Sequence, residues 1–261
     1  MESPLDKFYD PNFYSLHSDG ATSSAKAVLA LLYKYLQPKS VIDIGCGRGA
    51  WLAVAESLGS NKLRGFDGSW IKKEDLFSPT IDFSPVNFDI AMPEVNEKYD
   101  LCICVEVAEH IAEKRAMLFI DTLCKASDVV LFSAATKFQG GTNHINEQWQ
   151  SYWVDLFKAN GFECFDTLRP ALWANESVKW WYRQNILLFR RQNSNTIDNS
   201  LLKAAARPIL DIIHPENHKE KIQHLDQRLH QLIECPSLEF SLGCLKKSFM
   251  RKVRRLILNA K

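Results

Sequence analysis

The chain has 261 residues, 46% of them hydrophobic and 24% charged, with a formal net charge of +1; this is ordinary for a globular protein and long enough for one full domain plus an appendage. No stretch approaches the ~20 apolar residues of a membrane span, and the N-terminus, MESPLDKFYD, lacks the basic-then-apolar pattern of a secretory leader. Seven cysteines without a C-x-x-C pair argue against a disulfide framework and for a reducing, cytoplasmic compartment.

The near-zero net charge hides an asymmetry. Gly243 to Lys261 hold seven Lys or Arg and no acid, which leaves 25 basic against 31 acidic residues in the rest of the chain. The body is mildly acidic and the tail strongly basic.

In chain order, the first 36 residues begin with the aromatics Phe8, Tyr9, Phe13 and Tyr14. A helix follows, with Ser18 or Asp19 as its cap and Val28, Leu29, Leu32, Tyr35 and Leu36 at helical spacing. Pro38 closes it. Such a segment either folds over a ligand as a lid or simply packs the helix down.

Val41 to Trp51, VIDIGCGRGAW, reads as a strand, a glycine turn and a helix opening. Glycines fit there because the backbone must reach positive φ and let a ligand approach without meeting a Cβ. Gly45-Gly47-Ala50 formally satisfies the dinucleotide pattern G-x-G-x-x-A. The fuller spacing is G-x-G-x-G, with Asp43 two residues ahead of Gly45, and this favours a ligand carrying an ammonium and a sulfonium. The segment resembles motif I of the class I S-adenosylmethionine (SAM) methyltransferases, E/D-x-G-x-G-x-G. That resemblance implies SAM bound by Asp43, Gly45, Cys46, Gly47 and Gly49.

Leu63 to Asp67 reads as the second strand, and its terminal Asp67, with Gly68 behind it, is placed for the ribose hydroxyls. Trp70 and Ile71 can flank the adenine. Val86 to Asp89 reads as the third strand, with Asp89 reaching the adenine amino group. The apolar run Tyr99 to Val105 is the fourth strand, buried on both faces, and Val105 joins the expected cofactor set. A helix at Glu113 to Lys125, a strand at Val129 to Ser133, a loop at Ala134 to Asn146 and a helix at Glu147 to Asn160 follow. Strands at Phe162 to Phe165 and Asn185 to Phe189 end the series. Strand and helix alternate throughout, which predicts an α/β, doubly wound, mostly parallel seven-stranded sheet with a helical C-terminal extension.

Glu106, Glu109 and His110 stand where the fourth strand gives way to a helix; if that helix begins there, all three share a face. His144, in GGTNHINEQW, sits in the loop after the fifth strand. The pattern E-x-x-E-H with a later His resembles the metal-assisted O-methyltransferases, among them those of the ubiquinone pathway and the small-RNA 3′-terminal 2′-O-methyltransferases. It implies that Glu106, Glu109, His110 and His144 hold a divalent cation, Mg²⁺ or Mn²⁺, that engages the acceptor hydroxyl. Without a metal, His144 is the candidate general base, since an imidazole with a reference pKa of ~6.5 accepts a proton at neutral pH. GGTNHINEQWQSYW, PALW and WWYRQN look more like bacterial methyltransferases of polysaccharide and glycolipid synthesis. Trp149, Tyr152, Trp153, Trp173, Trp180, Trp181 and Tyr182 can stack a sugar or a ring, though most fit a core role.

Residues 37–192 are thus the expected SAM domain, after an N-terminal segment of residues 1–36 and before a helical extension of residues 193–261. The expected activity is SAM-dependent O-methylation of a saccharide hydroxyl. Alternatives are a phenolic or quinone precursor, an RNA 3′-terminal 2′-hydroxyl, or a non-catalytic SAM-fold subunit. In the tail, Leu245, Phe249, Val253, Leu256 and Ile257 form an apolar stripe among Lys246, Lys247, Arg251, Lys252, Arg254 and Arg255. A stripe of this kind suits the inner surface of a membrane, a partner such as a glycosyltransferase, or nucleic acid.

Overall fold

A computed structural model describes residues 11–194, 197, 210–234 and 238–259, with side chains left aside for 11–19, 233–234 and 253–259. The expected lid aromatics, and Val253, Leu256 and Ile257 as side chains, lie outside that description. By contacts the chain divides into Met1–His214 and Pro215–Lys261, whereas the change of sequence character falls near residue 193. Segment 210–214 belongs with the first unit: Ser151 N–H donates to Asp211, Arg169 to the Leu210 carbonyl, and the His214 N–H to Gln184.

The first unit opens with helix α1 (Pro11–Leu32), then β1 (Ser40–Ile44), α2 (Ala50–Ser57), β2 (Lys62–Asp67), β3 (Asp82–Pro85) and β4 (Leu101–Val105). It continues with α3 (Glu113–Ala126), β5 (Val129–Ser133), α4 (Gln150–Ala159), β6 (Phe162–Phe165), α5 (Leu168–Leu172), α6 (Trp180–Asn185) and β7 (Leu187–Arg191). The strands form one sheet in the order β3-β2-β1-β4-β5-β7-β6. The pairs from β3 to β5 are parallel; β7 runs antiparallel to both β5 and β6. The sheet is therefore mixed, parallel in its main part.

The two-residue period of the strands builds two cores. Val41, Ile103, Leu131 and Leu188 face one layer with Val28, Leu29 and Leu32 of α1 and Leu52 and Ala55 of α2. Ile42, Cys102, Cys104, Val130, Phe132 and Phe189 face the other, against Phe119 and Ile120 of α3 and Trp153 and Phe157 of α4. Phe157 stacks on Phe189 at 3.8 Å between centroids, so α4 is clamped to the antiparallel strand. The six described cysteines are free thiols, and Cys102 and Cys104 are core residues of β4.

Besides α4, which begins at Gln150 rather than Glu147, four features differ from the sequence reading, each for a local reason. Helix α1 already runs from Pro11, so Ser18 and Asp19 lie within it rather than capping it. The third strand is Asp82–Pro85, not Val86 to Asp89; Pro85 is tolerated because β3 is an edge strand. Helices do not alternate throughout: β2 and β3 are joined through a single 3₁₀ turn, Lys73–Asp75, and no helix stands between β3 and β4. The last strand begins at Leu187, because Asn185 ends α6 instead.

The second unit contains two helices, α7 (Pro215–Glu234) and α8 (Leu238–Asn259). Among the described residues no helix is long and apolar enough to cross a membrane.

Candidate active site

The C-terminal ends of β1 and β2 form a cradle. Gly45, Gly47 and Gly49 all take positive φ, at 90°, 53° and 77°, conformations that cost other residues roughly 1 kcal/mol or more. A Cβ on Gly45 would stand 2.2 Å from Val107 Cγ2. The glycine turn therefore lies directly against the segment that follows Glu106. The Gly45 and Cys46 N–H groups donate to the Phe66 carbonyl, which ties this turn to β2.

Asp67, at the end of β2, accepts the Gly47 N–H at 2.7 Å and the Gly68 N–H at 2.7 Å. The carboxylate also accepts from the Trp70 side chain, which leaves fewer of its roughly four lone-pair sites for ligand hydroxyls. The Trp70 indole covers Gly68, where a Cβ would come within 2.2 Å of the ring. Asp43 is buried, and neither of its carboxylate oxygens finds a hydrogen-bond partner among the described residues. Burial, and secondarily Asp67, pushes its pKa well up. An unpaired buried acid beside an open turn is a place for a cation.

The remaining expected cofactor residues are less uniform. Val105 ends β4 and is buried. The Cys46 thiol points into the core with its pKa raised by burial, so only its backbone can serve a ligand. Asp89 lies four residues beyond the end of β3, exposed, in a turn whose Asp89 N–H donates to Asn87. It is not at a strand end.

Beyond Val105 the chain turns sharply, with Glu106 at φ 56°. Helix α3 starts only at Glu113, so Glu109 and His110 sit in a single 3₁₀ turn, Ala108–His110, rather than on one helical face with Glu106. The loop after β5 is pinned onto that turn, because Ile145 N–H and Asn146 N–H both donate to the Glu109 carbonyl. This brings His144 to His110, with ring centroids 4.9 Å apart. Donor atoms of Glu109, His110 and His144 lie within 4.8 Å of one another, a grouping that could hold a metal ion.

Four details bear on whether these residues suit an ion. The Glu109 carboxylate is fully buried, and among the described residues neither oxygen finds a side-chain hydrogen-bond partner; burial, then Glu106, drives its pKa well up against the pull of the Glu109 and Ala135 backbone N–H groups. His110 Nδ1 meets the Asn143 carbonyl at 3.1 Å, and His144 Nδ1 meets Glu147 Oε1 at 2.9 Å. Both imidazoles are thus oriented through Nδ1, as metal-bound histidines usually are. Burial, with His144 adding to it, lowers the His110 pKa to about 4, so this ring is neutral and able to coordinate at ordinary pH. Gly141 makes room: a Cβ there would lie 2.3 Å from His144 Nε2. The residues fit a divalent cation.

Glu106 stands outside this grouping of three. Its carboxylate accepts Asn185 Nδ2 at 3.1 Å and Gln139 Nε2 at 3.3 Å. The Gln139 amide cannot turn round, since its Oε1 already accepts from Thr136 N, Gln184 Nε2 and Asn185 Nδ2. Burial still lifts the Glu106 pKa to about 7 against these donors. Sequence reasoning missed Gln139, Asn185, Asn143 and Glu147. Only Glu147 gave a signal, three residues after His144. Of the expected stacking aromatics, Trp153, Trp180 and Tyr182 are core residues. On the loop after β5 the exposed ring is instead Phe138, 81% accessible, with Ile145 also exposed.

A family profile described as a methyltransferase domain matches residues 17–185, more than half of the chain. Methyltransferase 235L of Invertebrate iridescent virus 6 is 28% identical over 176 residues, 63% of each protein. The ubiquinone biosynthesis O-methyltransferase of Paraburkholderia phytofirmans is 28% identical over 173 residues, 63% of this chain and 67% of that one. The alignment thus spans a little under two thirds of the viral relative's length. Among solved structures, a chain of the complex between the Haloferax volcanii Trm112 activator and a methyltransferase matches with a TM-score of 0.54 at 15% identity, over 73% of this chain and 98% of that one. An O-methyltransferase from Nostoc punctiforme matches at 0.53 and 13%, over 69% and 59%. At such identities these two speak for the fold alone. The chain belongs to the methyltransferase-domain family, and its fold is that of the class I SAM-dependent methyltransferases.

Proposed function

We propose that this protein is a SAM-dependent O-methyltransferase that works with a divalent cation and methylates a hydroxyl, a saccharide hydroxyl first among the candidates. The observation that carries the reading is the convergence of Glu109, His110 and His144 on the segment packed against the glycine turn. When bound, SAM supplies an activated methyl on its sulfonium, and a cation lowers the pKa of the acceptor hydroxyl.

The chain's own part is alignment and proton removal. Asp43 offers a buried, uncompensated carboxylate to an ammonium, and Asp67 accepts hydroxyls while bridging Gly47 and Gly68. Glu109, His110 and His144 would hold the ion. Glu106, fixed by Gln139 and Asn185 and poised near pH 7, would take the acceptor proton as the new O–CH₃ bond forms and the S–CH₃ bond breaks. Phe138 offers a face on which a sugar or ring can rest. A sugar hydroxyl, far less acidic than a phenol, has the greater need of a cation. The O-methyltransferase name of the Paraburkholderia relative supports oxygen as the acceptor atom.

The test is transfer of labelled methyl from SAM to a panel of saccharides, catechols and RNA 3′ ends, with and without EDTA. Transfer to a saccharide that stops in EDTA and returns with Mg²⁺ or Mn²⁺ is the expected result. Full activity in EDTA would reject the cation, and transfer only to a catechol or RNA would reject the saccharide.

A further inference from the structure

We propose that helix α8 is a docking surface for an anionic lipid bilayer, lying in the plane of the membrane interface. The helix is continuous from Leu238 to Asn259, about 33 Å at 1.5 Å per residue. Leu238, Leu242, Leu245 and Phe249 recur at spacings of 4, 3 and 4, all exposed, with Leu245 and Phe249 at 66% and 68%. Lys246, Lys247, Arg251 and Lys252 are exposed on the same helix. The sequence carries both patterns onward with Val253 and Leu256, and with Arg254 and Arg255. Six Lys or Arg stand against one acid, Glu239.

The charge selects the occupant. Helix α7 also exposes an apolar row, Ile222, Leu225, Leu229 and Leu232, but it carries four acids against three Lys or Arg and has no such bias. Pairing two copies of α8 face to face would set strongly positive helices against each other. A nucleic acid would use the basic residues and leave the leucines and Phe249 in water. An anionic interface takes both: the apolar side enters the acyl boundary while flanking lysines and arginines reach the headgroups. The helix lies on the membrane rather than across it, because it is not apolar enough to span.

The experiment is co-sedimentation of the full chain with vesicles of phosphatidylglycerol and phosphatidylcholine, or of phosphatidylcholine alone. We expect pelleting with the anionic vesicles only, weakening as salt rises. Lys246→Glu with Lys247→Glu should weaken binding at least tenfold, since each basic residue near such a surface is worth roughly fivefold. Leu245→Gln with Phe249→Gln should do the same at unchanged charge, while S-adenosylhomocysteine affinity, read on the same samples, stays at the wild-type value. A chain that stays in the supernatant overturns the proposal. So does vesicle binding that survives Leu245→Gln with Phe249→Gln, single-stranded RNA displacing the vesicles from a site those changes spare, or a soluble dimer that those changes dissociate.

Discussion

The end of β1 presents mostly main chain, the end of β4 mostly side chains. The cradle is made by Gly45, Gly47 and Gly49 at positive φ and by N–H groups that Asp67 holds in place. The polar cluster after β4 draws Glu106, Glu109 and His110 from one turn, Gln139 and His144 from the loop after β5, and Asn185 from the end of α6. The cradle is close to satisfied apart from Asp43. The cluster leaves the Glu109 carboxylate buried and without a side-chain partner among the described residues, and Glu106 poised near neutrality. A backbone site tolerates little change in shape; a side-chain site tolerates changes in shape but little change in charge.

The largest effect should come from the cradle. Gly47→Val forces a β-branched residue to φ 53° beside the ligand, and S-adenosylhomocysteine affinity, measured by calorimetry, should fall at least a hundredfold in a folded protein. A folded Gly47→Val variant with wild-type affinity would place the cofactor elsewhere. On the other side, Glu109→Ala and His144→Ala should each lower kcat/KM by about 10²–10³ while leaving that affinity within a few-fold. Equal loss of cofactor binding would show that the two regions are one site.

The difference between them tracks how each was legible in the sequence. Asp43, the glycines and Asp67 are read from local spacing because backbone shape is a local property. Glu106, Glu109, His110 and His144 are visible as residue types, but not their division of labour. Gln139 and Asn185, which hold Glu106, lie 33 and 79 residues along the chain, and amides carry no motif of their own. The same holds for Asp89: its strand was misplaced by four residues because Pro85, normally a strand breaker, closes an edge strand.

A third, smaller effect concerns protons. Burial raises the Glu106 pKa to about 7, from an ordinary value near 4.3 in the unfolded chain. The folded state therefore holds this proton more tightly, and the group's contribution to stability is present below pH ~4.3 and lost as pH rises to about 7. Glu106→Gln should thus gain stability relative to wild type between pH 4.5 and 7.5, by roughly 3 kcal/mol at the upper end. Denaturant midpoints across that range check this, and parallel curves would mean Glu106 stays ionised. The smallest effect belongs to Phe138→Ala. Loss of one exposed stacking face should raise KM for the acceptor about three- to tenfold with kcat nearly unchanged; an unaltered KM would take Phe138 out of the acceptor path.

The central claim is that cofactor binding belongs to the β1–β2 edge and acceptor chemistry to the cluster after β4. Titrating S-adenosylhomocysteine into wild type and into Glu109→Gln tests it most directly. The account predicts one site per chain in both, with affinities within a few-fold, although the variant is catalytically impaired. No binding by folded wild-type protein, or binding abolished by Glu109→Gln, would contradict it.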